Sequence, residues 1–354
     1  GSRRNARSQS STIETIATFT SSPRGAAVAP DGTIYVGTNG HVLEVIESDG
    51  TPTTLGTGPS LNCSYEGPVA NVSFAGTSDV AVGPDGSIYF AHKSCHMVRR
   101  ISPDGDVATV AGTGSQGSSG DGGLATSAKL YSPEGVDVAP DGTVYIADTF
   151  NDRVRIVGTD GIITSLEIRE WENESWTYST YSDVAKDVAV GHDGELYVAA
   201  DTYIYVVTPD STMRVFAGGG DSTDDFEIDG IPAPDADLLN ASYLAIADDG
   251  SLYVSVADVK GCGSSKRGVR RITPDGLIYS VLGYDDGSCT QVTYADGTAA
   301  RLADHDTWGV AIAPDGALIA TSFDDQLVSR VAPRLTGSGA AAHEVPARGG
   351  SIVY

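Results

Sequence analysis

Basic residues are scarce in this chain: 22 Lys and Arg stand against 47 Asp and Glu, a net charge of −25. So acidic a surface repels a phosphate backbone over most of its area, which argues against nucleic acid as a partner and suits a salt-screened medium. Long apolar runs are missing too. Nothing approaches the roughly eighteen residues that a membrane-crossing helix needs, so no direct membrane insertion is expected. No Gly-x-Ser-x-Gly elbow, phosphate-binding loop or His-Glu-x-x-His occurs, which removes three common catalytic signatures. Sulfur is sparse, with four cysteines and two methionines.

What is present is one sentence written six times. The copies are RGAAVAPDGTIYVGT (Arg24 to Thr38), SDVAVGPDGSIYFAH (Ser78 to His92), EGVDVAPDGTVYIAD (Glu134 to Asp148), KDVAVGHDGELYVAA (Lys186 to Ala200), SYLAIADDGSLYVSV (Ser242 to Val256) and WGVAIAPDGALIATS (Trp308 to Ser322). Their turn residues Asp31, Asp85, Asp141, Asp193, Asp249 and Asp315 follow one another at 54, 56, 52, 56 and 66 residues. Periods of this size mark an array whose units bury their apolar faces against each other.

Asp-Gly between two apolar runs is a strong hairpin signal, because the turn needs left-handed backbone that glycine supplies without steric cost. A second turn follows at Asp49-Gly50, Asp104-Gly105, Asp160-Gly161, Asp210-Ser211 and Asp275-Gly276. Two hairpins in succession make a four-stranded meander, expected in the third unit at Gly135–Ala139, Thr143–Ala147, Arg153–Val157 and Ile162–Leu166. Length alone suggests two domains, but six units without a linker argue for one. The chain is therefore expected to be all-β: a six-bladed β-propeller of four-stranded antiparallel blades. The sixth unit lacks a second Asp-Gly turn. Thr12 to Phe19 (TIETIATF) is similar to Asp106 to Thr113 (DVATVAGT) and is expected to supply the missing outer strand, closing the ring from the N-terminus; Ser351 to Tyr354 is the competing donor. Residues 1–11 read as a disordered tag or linker, 12–335 as the propeller and 336–354 as a tail.

The third unit, Gly112 to Val157, with its Asp148-Thr149, Asn151 and Arg153 to Ile156, resembles the NHL repeat. The connector motif Asp121-Gly122-Gly123-x-Ala125-x-x-Ala128-x-Leu130 recurs more weakly at Glu66-Gly67, Asp229-Gly230 and Asp296-Gly297. The resemblance covers nearly the whole chain. It implies an NHL-type propeller of the teneurin or sensor-ectodomain kind, with the peptidyl amidating lyase and the SMP-30-like propellers more distant. Such propellers include adhesion modules, RNA-binding domains and a metal-dependent lyase, so the site has to be argued separately.

In a propeller, the loops between second and third strands share one face with the blade-to-blade connectors, opposite the Asp-Gly turns. That layout favours disulfides Cys63 with Cys95 and Cys262 with Cys289; four free thiols is the alternative. Four of the seven asparagines, Asn62, Asn71, Asn173 and Asn240, stand in Asn-x-Ser form within connectors as candidate glycosylation sites. Both features indicate an extracellular, secreted or cell-surface setting; the chain is expected to be part of a larger secreted or surface protein.

Three candidate sites lie on the connector face. Trp171, Trp176, Tyr178 and Tyr181 form an aromatic loop that either meets a protein or glycan or folds back over the blades. Asp221, Asp224, Asp225 and Asp229 offer oxygen ligands for calcium, or simply a solvated acidic loop; no other cofactor is expected. Arg24, Glu134, Lys186 and Trp308 head their inner strands and ring the channel mouth, with Asp137 deeper inside where five other units carry Ala. For an amidating-lyase-like zinc site, His41 and His96 occupy the strand-entry position where a ligand would fall, with His92 on the preceding strand end. A third matched histidine is missing, since His192, His305 and His343 lie elsewhere, and a lactonase-like calcium would find only Glu134 and Asp137. The expected function is a non-catalytic recognition or adhesion domain binding protein or carbohydrate through its loop face, the alternative being a metal-dependent propeller enzyme with axial zinc or calcium.

Overall fold

Each Asp-Gly turn builds its hairpin by the same chemistry. In the first, Ala29 N–H donates to Thr33 O at 2.8 Å and Gly32 N–H to Ala29 O at 2.9 Å, while Asp31 Oδ1 accepts the Thr33 N–H at 2.9 Å. Gly32 takes φ +91°, in the left-handed region that other residues rarely adopt. The same pattern recurs at the five other first turns, which is why six divergent segments fold alike.

The computed structural model describes residues 12–56, 62–166, 169–172, 175–178, 185–209, 211–220, 229–258, 266–283 and 306–332. They form a six-bladed β-propeller of antiparallel sheets. The inner strands are Pro23–Val28, Thr77–Val82, Gly135–Val138, Ala185–Val190, Leu244–Ile246 and Thr307–Ile312. Blade three continues through Val144–Asp148, Arg153–Val157 and Ile162–Ser165, within one residue of the expected bounds. The apolar core lies between neighbouring sheets: Ala81 and Val98 of blade two pack with Val136, Ile146 and Ile163 of blade three, all nearly inaccessible. No helix among the described residues is long and apolar enough to cross a membrane.

The ring closes as expected. Ile13–Thr18 pairs antiparallel with Leu327–Val331 of blade six, placing Ile13 opposite Val331 and Glu14 opposite Arg330. Ile13 is fully buried beside Val310, Leu318 and Val331, so apolar packing as well as backbone pairing holds the two ends of the chain together.

The blades differ from the expected four strands in one respect. Blades two, three and five each carry a fifth, two-residue strand from the entering connector: Gly67–Pro68, Gly123–Leu124 and Ile231–Pro232. These cover the outer edges of Asp106–Ala111, Ile162–Ser165 and Leu277–Leu282, which would otherwise present unpaired backbone groups. The same three blades bury an arginine at one register of the third strand: Arg99, Arg155 and Arg270, each at most 1 % exposed. Arg155 reaches Asp121 at 2.8 Å and Asp148 at 3.5 Å, and Arg99 donates to the carbonyl of Tyr65. The connector motif is thereby explained. Its acidic residue and its backbone are clamped by arginine, and Ala125, Ala128 and Leu130 are buried between blades two and three.

Candidate functional site

The connector face is irregular but pinned. A disulfide joins Cys63 of the connector entering blade two to Cys95 of that blade's second loop; Cys262 and Cys289 lie outside the described residues. Beside the bridge, a three-residue turn ends at His96, whose left-handed backbone (φ 53°) leads into the third strand of blade two, Met97–Ile101. His96 Nδ1 accepts the Ser132 N–H at 3.1 Å, and the His96 ring meets Tyr131 edge-on at 5.6 Å. Tyr131 in turn contacts Phe150 at 5.2 Å. Phe150 is 54 % exposed, one of three exposed large apolar side chains among the described residues. Lys93 lies 5.6 Å from its ring centre and pairs with Glu134. A patch of His96, Tyr131 and Phe150, edged by an ion pair, thus stands on the loops of blades two and three. Of this patch the repeat segment Asp148-Thr149-Phe150-Asn151 supplies Phe150, the one of its four residues outside the repeat signature.

The hub rim gathers the residues expected at the channel mouth, each paired with a neighbour. Trp308 stacks with Arg267 at 4.0 Å, Arg24 at 5.2 Å and Phe323 at 4.9 Å, and its indole N–H donates to Asp306 at 3.0 Å. Arg24 donates to Asn39 at 2.8 Å. Glu134 pairs with Lys93, and Lys186 with Asp201 and Asn240. Beneath this rim the hub is plugged. The Tyr243 hydroxyl of blade five crosses to the carbonyl of Ser78 in the opposite blade two, at 3.0 Å.

The plug follows from crowding. At the second inner-strand position the six blades carry Gly25, Asp79, Gly135, Asp187, Tyr243 and Gly309. Six large side chains cannot share the axis, so glycines flank the three inserts. A Cβ at Gly25 would sit 2.7 Å from the Asp79 Cα, and one at Gly135 equally close to that of Asp187. The carboxylates accept backbone N–H groups that the inner strands leave unpaired: Asp79 from Val136 at 3.0 Å, Asp187 from Leu244 at 2.8 Å, and Asp137 from Val190 at 2.7 Å. Burial pushes the Asp79 carboxyl up to about 8 and Asp137 to about 6. Asp187 is raised well above the usual range by burial and by the nearby Asp79 charge. All three line a central cavity of about 210 Å³ walled otherwise by Ala, Val, Leu and Ile. The alignment singled out Asp137, and the structure adds Asp79 and Asp187 to it.

The remaining candidates are dispersed. The aromatic segment is a hairpin, Arg169–Glu172 with Ser175–Tyr178, where a loop was expected. Tryptophan, tyrosine and threonine favour extended backbone, and Trp171 pairs in register with Trp176 and Arg169 with Tyr178. Tyr181 lies outside the described residues, as do Asp221, Asp224, Asp225 and Asn173. Asp229 Oδ1 accepts the Ser280 N–H at 2.7 Å. Asn62 and Asn71 are exposed, whereas the Asn240 amide oxygen accepts from Lys186. The three histidines point to separate partners: His41 to Ser73 at 2.9 Å, His92 to the Ala75 carbonyl at 3.0 Å, and His96 to Ser132. Burial pushes the His92 imidazole down to about 4. Among the described residues no three His, Cys, Asp or Glu side chains converge as a metal site.

A model of the teneurin NHL domain matches residues 110–177. Teneurin-m of Drosophila melanogaster is 27 % identical over 288 residues, covering 74 % of this chain and 10 % of that protein. The chain spans about a tenth of the length of the teneurins it matches. A streptogramin B lyase structure superposes with a TM-score of 0.54 at 12 % identity, over 92 % of this chain and 98 % of that one. A gluconolactonase from Xanthomonas campestris gives 0.57 at 16 % identity, over 92 % and 91 %. At such identities the likeness is one of fold.

Proposed function

Since the chain belongs to the NHL-repeat β-propeller family, we propose that it is a non-catalytic extracellular recognition domain that binds a protein or glycan through its connector face. The observation that carries this reading is the Phe150 patch: an exposed aromatic ring, packed on Tyr131 and His96 and supported by loops that a disulfide anchors. Rigid aromatics lose little side-chain entropy on binding, and aromatic anchors supply much of the energy of many interfaces. The Trp171 and Trp176 hairpin lies in the connector between blades three and four. The disulfide supports an oxidising setting, and the teneurin relatives support recognition over catalysis.

The test is binding of the purified domain to a glycan array and to a cell-surface protein library, followed by quantitative titration of the ligand found. Phe150→Ala should weaken that binding at least tenfold and leave the melting temperature within 1–2 °C, because the removed ring is mostly exposed. Trp171→Ala with Trp176→Ala probes the second patch in the same way. Unchanged affinity in both variants overturns the proposal.

A further inference from the structure

The hub holds a problem that the recognition reading does not use. Asp79, Asp137 and Asp187 face one cavity, and among the described residues none of them has a Lys or Arg ion pair. Each accepts backbone N–H bonds, yet Asp187, only 3 % exposed, keeps Oδ1 buried with no hydrogen-bond partner. That oxygen packs against Gly135, where a Cβ would come within 2.3 Å of it. Buried carboxylates call for a compensating positive charge or a proton.

The cavity also has a shape. Asp79 and Asp187 stand at the second position of their strands and Asp137 at the fourth, two residues further along. A strand rises about 3.3 Å per residue, so the two acidic levels are about 6–7 Å apart. The wall between them is apolar, made of residues such as Val80, Val136 and Val188. At about 210 Å³ the space exceeds the ~150 Å³ of engineered cavities that admit benzene. Tyr243 and Ser78 shut the connector end. At the other end Val28, Val82, Ile246 and Ile312 are half-buried, and the six turn aspartates surround the approach. Asp31, Asp141 and Asp193 there have no ion pair among the described residues, so the turn face attracts cations toward the axis.

We propose that the hub cavity binds a short aliphatic diammonium ion, one end held by Asp79 and Asp187 and the other by Asp137. An ammonium needs a few hydrogen-bond acceptors, and its methylene chain suits the apolar wall. A hard metal ion needs six or more oxygens, and these carboxylates already share theirs with backbone N–H groups. Burial raises all three carboxyls, so protons compete with the diammonium for them increasingly as the pH falls. The charged and titratable groups around them are Arg24 of blade one, Asp79 of blade two, Glu134 and Asp137 of blade three, Asp187 of blade four and Tyr243 of blade five. The inner strand of blade six, Thr307–Ile312, contributes none.

Calorimetric titration of the intact chain with 1,4-diaminobutane dihydrochloride at pH 8 tests this, with n-butylamine and 1-butanol as probes of charge number and charge. Saturable one-to-one binding of the diamine is expected, at least tenfold tighter than n-butylamine, with none for the alcohol. Affinity should fall at least tenfold from pH 8.5 to pH 6. Asp137→Asn should reduce the diamine to the level of n-butylamine. Asp187→Asn should weaken both amines; if it does not fold, the Asp137→Asn result and the pH dependence decide. Absence of saturable diamine binding, equal binding by 1-butanol, or full affinity in Asp137→Asn overturns the proposal.

Discussion

Raising the pH from 5 to 8 should destabilise the ring, and the hub carboxyls set the size of the effect. Burial raises Asp137 to about 6 and Asp79 to about 8, against an ordinary value of 3.8. Between the unfolded and folded values, the folded state holds protons that the unfolded chain has released. The stabilisation is therefore fully present below about pH 4 and is lost as the pH rises through 6 for Asp137 and through 8 for Asp79. At about 1.4 kcal/mol per unit, Asp137 alone accounts for about 3 kcal/mol, most of it lost between pH 4 and 6, with Asp79 extending the fall to pH 8. The turn carboxylates oppose this at the acid end. Backbone N–H groups hold Asp31 and Asp141 below the usual range, so their contribution is present above about pH 4 and lost below it. Urea unfolding at 25 °C from pH 4.5 to 8.5, in buffer free of amines, measures the slope. Wild type should lose several kcal/mol across that range, and Asp137→Asn should flatten the curve between pH 4.5 and 6. Stability that is flat or rising from pH 5 to 8 refutes the hub electrostatics described here.

Gly135→Ala should cost about 1–3 kcal/mol by overpacking, because the new Cβ would meet Asp187 backbone rather than a flexible tip, and thermal melting reads it directly. Replacing Cys63 and Cys95 by serine opens a loop of 32 residues and should cost about 3–4 kcal/mol, seen as an earlier urea midpoint and earlier proteolysis of the entering connector. Deleting residues 1–18 exposes the edge of Leu327–Val331 and the cavity left by Ile13; the melting point should drop by several degrees, and an unchanged one would deny the closure.

Much of the ring was legible because each blade repeats a turn with its own chemistry. Asp31, Asp85, Asp141, Asp193, Asp249 and Asp315 mark the hairpins, and the alternating apolar runs beside them place the strands of blade three to within a residue. The closing strand was legible because Thr12 to Phe19 carries the pattern of an outer strand. The fifth strands were not, since two residues give no alternation to read. Their signal was indirect, an acidic residue in the connector matched by an arginine in the third strand, as Asp121 is by Arg155. The hub was half legible. Strand patterns are read for the faces of a sheet, whereas the inner edge looks onto the axis. The alternation of Gly25, Asp79, Gly135 and Asp187 was visible in the sequence and has meaning only once six edges converge. The Phe150 patch was hidden for another reason: its exposure depends on how Tyr131 and His96 pack from two other segments.

The most direct test of recognition through the connector face is hydrogen–deuterium exchange on the domain with and without its captured ligand. Protection is expected at Lys93–His96, Tyr131–Glu134 and Thr149–Asn151, with the Asp-Gly turns unchanged. Protection confined to the Asp-Gly turns, with the Phe150 loop exchanging as before, would contradict it.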